Sequence, residues 1–178
     1  MTRRTHALLL RGVNVGGKHR LPMAELASMV GALGGERVQT FIQSGNVVCR
    51  LSPEAAAGVA EGLAGAIGAR FGFSAPVVVR SAEALDAALA AYPWDVPEDQ
   101  RYIAFLADQP TPERVAALDP DRSPGDRFQV IGADLHMHLP RGVAETKLTS
   151  AWMDRQLATV STGRNWRTSL AIAALLAA

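Results

Sequence analysis

Three short stretches of this chain combine backbone freedom with hydrogen-bond donors: Arg11-Gly12-Val13-Asn14-Val15-Gly16-Gly17-Lys18, Gln43-Ser44-Gly45-Asn46, and Thr162-Gly163-Arg164-Asn165-Trp166-Arg167. Anions such as phosphate are bound by that pairing of accessible N–H groups with guanidinium, ammonium and amide donors. Arg11, Lys18, Arg164 and Arg167 would supply charge. Asn14, Gly16, Gly17, Gln43, Ser44, Asn46 and Asn165 would orient a ligand through neutral donors or close backbone approach.

From Gly12 to Lys18 the first stretch has the GxxxxGK spacing of a phosphate-cradling loop. Two departures argue against a magnesium NTPase: His19 stands where a hydroxyl would hold the metal, and Pro22 delays the helix start. Tyr102 to Asp108 imitates a magnesium-organising strand, but neighbouring hairpin patterns contradict the parallel sheet such an enzyme needs. The glycines also have a plain reading as turn formers. In the third stretch, Asn165 can cap a final helix, which puts Arg164 and Arg167 at its positive end. The helix dipole disfavours each cation there by some tenths of a kcal/mol, up to about 1. A bound anion would remove that conflict, and so would a nearby Asp or Glu. Trp166 reads as a packed ring, and Gln43 to Asn46 has a plain reading as a hairpin tip.

Other groups carry less. His136 and His138 share one face of a strand without a third ligand nearby, so neither a metal nor any other cofactor is expected. Cys49 lies in an apolar run and reads as a buried thiol. Ser44 lacks a His partner, and Glu25, Asp108 and His19 are acid–base candidates by chemistry alone. Lys147, between Thr146 and Thr149, is a further donor whose plainer reading is a solvated lysine.

The elements that must position these residues follow from hydrophobic period and punctuation. A strand over Thr5–Leu10, a helix from Pro22 to Gly34, strands over Val38–Ile42 and Asn46–Arg50, a helix from Ser52 to Phe71 and a strand over Ala75–Arg80 give βαββαβ. A helix from Ser81 to Ala91 is broken at Tyr92–Pro97. A second cycle then has a strand over Tyr102–Ala107, a helix from Thr111, and a hairpin of Phe128–Ile131 with Asp134–Leu139. It continues with a helix over Lys147–Leu157, a short strand near Thr159–Thr162 and the final helix to Ala177. The expected fold is α+β, with two tandem ferredoxin-like (RRM-like) subdomains, 1–80 and 81–178, packed as one compact unit. With 178 residues, 48% of them hydrophobic, the chain can bury such a core. A formal net charge of +1 gives no global pull towards nucleic acid or anionic membranes. A single cysteine forbids an intramolecular disulfide, and the run after Arg3 and Arg4 is too short for a signal peptide, so a cytoplasmic location is expected. RNA stacking in the RRM manner is disfavoured, because the strands at Ala7–Leu10 and Val47–Cys49 are aliphatic.

The chain resembles the domain of unknown function 1697 family of bacterial proteins. The match rests on Leu9 to Lys18, Met23-Ala24-Glu25-Leu26, Phe41 to Val48, Lys147-Leu148 and Thr162 to Thr168, and spans nearly the whole chain. Ser161 stands where the family often has Thr. The resemblance implies two RRM-like subdomains that exchange their C-terminal strands; it implies no activity and supplies no catalytic residue. Three functions remain open. The first is a metal-independent binding protein for a phosphorylated or anionic, nucleotide-like ligand or an RNA end, held in a cleft between the subdomains. The second is a phosphoryl- or nucleotidyl-transfer enzyme using the same arginines. The third is a non-catalytic protein whose polar stretches are architectural.

Overall fold

The computed structural model describes residues 4–178; Arg3 of the basic N-terminal pair lies outside them. In chain order the elements are β1 (Arg4–Leu10), α1 (Met23–Ala32), β2 (Glu36–Phe41), β3 (Asn46–Leu51), α2 (Pro53–Phe71), β4 (Val77–Ser81) and α3 (Ala82–Ala90). There follow β5 (Arg101–Leu106), α4 (Pro112–Ala116), β6 (Arg127–Ile131), β7 (Asp134–His138), α5 (Ser150–Leu157), β8 (Ser161–Asn165) and α6 (Trp166–Ala177). The fold class is α+β, with two four-stranded antiparallel sheets ordered β2-β3-β1-β4 and β6-β7-β5-β8. Among the described residues no helix is long and apolar enough to cross a membrane.

Each sheet takes its strands from one continuous stretch, so the expected exchange of C-terminal strands is corrected: β4 pairs with β1, and β8 with β5. The helix before each last strand returns the chain antiparallel beside the central strand of its own stretch. The chain divides into two units, Met1–Leu85 with Ile172–Ala178, and Asp86–Ala171. That division falls inside α3 and gives the end of α6 to the first unit. No linker marks the passage, because the Ser81 hydroxyl caps the helix that follows at the amide of Ala84, 3.1 Å away.

In the first unit, alternate residues of the sheet, Leu8, Leu10, Val47, Cys49 and Val77, pack against Leu26 and Val30 of α1 and Val59, Leu63 and Ile67 of α2. Complete burial of each leucine contributes roughly 1.5–3 kcal/mol. Ser52 caps α2 at Ala55 N, and Gly72 closes it in a left-handed conformation, φ 74°. In the second unit, Ala104, Leu106, Leu135 and Met137 face Leu118, Trp152, Met153 and Leu157. Helix α5 begins at Ser150, later than expected, because the Thr149 hydroxyl caps it at Trp152 N; Lys147 lies in the loop before it. The last strand runs through Asn165, so the third polar stretch is largely strand, not loop.

Two predictions follow from this packing. Gly45 has φ 81°, and a Cβ there would lie 2.7 Å from both Leu10 Cβ and Val13 Cγ2. Gly45→Ala therefore overpacks the end of β1 and strains the backbone, and should cost about 2–4 kcal/mol in urea unfolding; a loss below measurement error would contradict the close approach. Burial pushes the Cys49 thiol from 9.0 up to about 11. In the unfolded chain it ionises first, so its contribution to stability is full below about pH 9 and is lost as pH rises towards 11. At pH 8 the native thiol should resist a disulfide reagent until urea unfolds the chain, and fast stoichiometric labelling of the native protein would refute this.

Candidate functional site

Between β1 and α1 the chain makes a small hairpin. The amide of Lys18 donates to Val15 O and that of Asn14 to His19 O, both at 3.0 Å, and the two residues at the turn, Gly16 and Gly17, have φ 57° and 73°. Two left-handed residues in succession are the signature of a type I′ turn, which demands such glycines. The glycines therefore shape a turn, and α1 begins only at Met23, so the GxxxxGK spacing does not build a phosphate cradle around a helix start. Asn14, itself at φ 54°, spends both amide hydrogens on the main chain, donating to Leu21 O at 3.0 Å and Gln43 O at 2.7 Å. Its carbonyl oxygen accepts from Leu21 N at 2.8 Å. This side chain is a staple joining the loop to the β2–β3 hairpin. His19 stacks on Phe73 with ring centroids 4.6 Å apart, and its Nδ1 donates to Gly12 O at 2.9 Å.

The second stretch divides likewise. Asn46 is fully buried and donates to Phe41 O and Ser44 Oγ, both at 3.1 Å, which closes the hairpin. Gln43 and Ser44 are exposed at its tip. A cleft of about 400 Å³ opens between the stapled loops, lined by Asn14, Gly17, Arg20, Leu21, Pro22 and Gln43. Its lining reaches Pro22, the N-cap of α1, which has no side-chain oxygen to give the first turn. Glu25 in that turn is drawn away to Arg70, 2.9 Å from it. Arg20 is exposed and lines the cleft; Lys18, also exposed, and Arg11, half-buried, do not line it. Arg20 was not among the expected residues. Its signal was the complete lack of acidic residues from Arg11 to Pro22, just before a helix start.

The third stretch belongs to the other unit. On β8, Arg164 is opposite Ile103 and only 9% exposed. Its Nη1 donates to Thr162 Oγ1 at 2.7 Å and to Gly163 O at 2.8 Å, and burial lowers its pKa to about 10, so it remains charged at neutral pH. Asn165 caps α6, its Oδ1 accepting from Thr168 N at 2.8 Å. Trp166 is buried beneath Arg101, whose guanidinium carbon lies 5.2 Å from the ring centroid. Arg167 is exposed beside a cleft that Asn165 also lines, but Glu98 and Asp99 stand in the same wall. Arg164 and Arg167 thus have opposite environments, because one is buried on a strand and the other is exposed in the first turn of a helix.

Of the remaining candidates, His136 is buried with Nε2 on Ala88 O at 2.8 Å. His138 meets Arg127 and Gln100 through its two nitrogens; burial first, then Arg127, holds its pKa below the usual value, with Asp126 opposing. Asp108 is exposed, and its amide donates to Thr159 Oγ1. Lys147 lies in a loop where its amide donates to Ser123 Oγ and its carbonyl accepts from Arg122. If Asn14 is a staple, Asn14→Ala should speed hydrogen exchange of the Leu21 amide roughly ten- to a hundredfold while leaving β1 amides unchanged. Unaltered exchange at Leu21 would rule the staple out.

No curated protein matches the chain. Among solved structures it is similar to the conserved bacterial protein SP0830 from Streptococcus pneumoniae, with 23% identity over 98% of this chain and 99% of that one, and a TM-score of 0.74. At that identity the likeness concerns the fold. A family description matches residues 3–136, well over half of the chain, and the chain belongs to that family, described as protein of unknown function (DUF1697).

Proposed function

We propose that the protein binds a small phosphorylated or otherwise anionic, nucleotide-like molecule in the cleft of its first unit. One observation carries this reading: an N-terminal helix turn without a side-chain cap lies at a cleft whose lining includes Arg20 and no acidic side chain. Unpaired N–H groups and the helix dipole favour an anion there, and a guanidinium adds directional donors. Gln43 and Gly17 complete the recognition set, with Asn14 and the Gly16-Gly17 turn as its scaffold. We read each unit as ferredoxin-like, since four antiparallel strands with the first at the centre and the fourth beside it match that topology. A cytoplasmic setting suits a single reduced thiol. Binding without turnover is favoured because Glu25 is engaged by Arg70, His19 is stacked on Phe73, and neither lines the cleft.

For the third stretch the architectural reading is better supported. Arg164 is buried and spends donors on its own strand, and Asn165 is used as a helix cap. Thermal shift with pyrophosphate, nucleotides and sugar phosphates separates the two stretches. A ligand at a hundred times its Kd stabilises by about 2.7 kcal/mol, a rise of roughly 5–10 °C for a chain of this size. Arg20→Ala should abolish most of that rise and Arg167→Ala should keep it. No rise with any phosphate compound, or an equal loss in both variants, would sink the proposal.

A further inference from the structure

The two sheets treat their outer edges differently. Strand β2 is bulged between Glu36 and Gln39, with Arg37 at φ 51°, which interrupts the row of main-chain groups that another strand would need. Strand β6 pairs with β7 without a shift from Arg127↔His138 to Ile131↔Asp134, and contains neither proline nor lysine. The two-residue turn at Gly132-Ala133 makes Ile131 and Asp134 a hydrogen-bonded pair. By alternation, the N–H and C=O groups of Phe128 and Val130 point away from β7, out of the sheet edge.

A cavity of about 550 Å³ follows this edge and is lined by the unbroken run from Asp126 to Val130. Its walls differ. Leu118 stands with Phe128 and Val130 on the apolar side, while Trp94 stands with Arg127 and Gln129 on the other. The Arg127 guanidinium carbon lies 5.1 Å from the centroid of Trp94, and its nitrogens reach His138 Nδ1. Asp126 is engaged by the Ser123 hydroxyl at 2.6 Å.

We propose that β6 captures an extended peptide of a partner protein as an added strand, with apolar side chains on the Leu118 side and acidic ones on the Arg127 side. Main-chain pairing supplies affinity and the alternating walls supply selection. A second copy of this chain fits less well. Two β6 strands paired about Gln129 would put Arg127 opposite Ile131, which leaves the guanidinium without an acidic partner.

The test is fluorescence anisotropy with a labelled, capped peptide alternating valine and glutamate. It should bind, and its lysine-for-glutamate counterpart should bind at least about tenfold more weakly. Val130→Pro removes only the outward donor of an edge strand and keeps an apolar side chain, so the fold should survive, as circular dichroism would verify, while binding falls by about tenfold or more. Arg127→Glu should reverse the preference between the two peptides. The proposal is overturned by no binding up to millimolar protein, by equal binding of a peptide N-methylated at alternate residues, or by an unchanged preference in Arg127→Glu. It is equally overturned if sedimentation reveals a dimer that Val130→Pro dissolves and the peptide does not.

Discussion

Complete burial of the two central strands is the constraint from which the rest proceeds. Residues Ala7 to Leu10 of β1 and Ile103 to Leu106 of β5 are wholly removed from water, so their main-chain groups must be paired on both sides. Strands β3 and β4 do this for β1, and β7 and β8 for β5. Where the ladder of β1 ends, the Leu10 amide takes Gly45 O at 2.8 Å and the Arg11 amide takes Pro76 O at 3.0 Å. The first of those bonds sets the β2–β3 hairpin beside the loop that leaves β1, and the second ties that loop to the start of β4. The cleft exists because that loop and hairpin are then joined by one carboxamide, that of Asn14.

Burial also decides which cations can meet a ligand. A guanidinium within a sheet loses hydration, and the depressed pKa of Arg164 reports that cost; it persists because internal oxygens compensate it. A charge so engaged gains little by turning to a small anion. Arg20 and Lys18 remain in water on a loop, where an approaching anion displaces only solvent. Positive charge in the sequence is thus a poor guide to where an anion sits until the strand and loop positions are known.

Most of the fold was legible because its signals are local. Ser52 before Pro53, Thr111 before Pro112 and the Gly132-Ala133 turn each mark an element boundary within a few residues. Asn165 was read correctly as a cap for the same reason. The strand identity of Thr162 to Asn165 was hidden, since Gly163 and Asn165 are weak strand formers and only pairing with β5 overrides that preference. The candidate site was legible in part. Glycine spacing in the first loop suggested a cradle, but whether Gly16 and Gly17 bend the chain into a turn or around a phosphate depends on partners across the loop. Asn14 and Asn46 were recognised as special residues, and what they bind was invisible because most of their acceptors are main-chain carbonyls distant in sequence or set by the hairpin.

The two units share a strand order, and this gives an internal control on what the fold itself requires. The connection from the first strand to the first helix is made in the second unit by residues 107–111, a common length for such loops, and Thr111 Oγ1 caps α4 at Arg114 N. In the first unit the same connection takes residues 11–22, adds a hairpin, and reaches α1 through a proline that leaves the first turn without a side-chain acceptor. Extra loop length costs closure entropy slowly, by about 0.6 kcal/mol per doubling, but ordering each added residue costs about 1–2 kcal/mol. The Asn14 bonds and the His19–Phe73 stacking offset that cost at a position where a short capped loop serves equally well for folding. The loop, its exposed Arg20 and the uncapped turn are therefore additions to the fold, and Asn14, Gly17, Arg20 and Pro22 of that loop line one cleft.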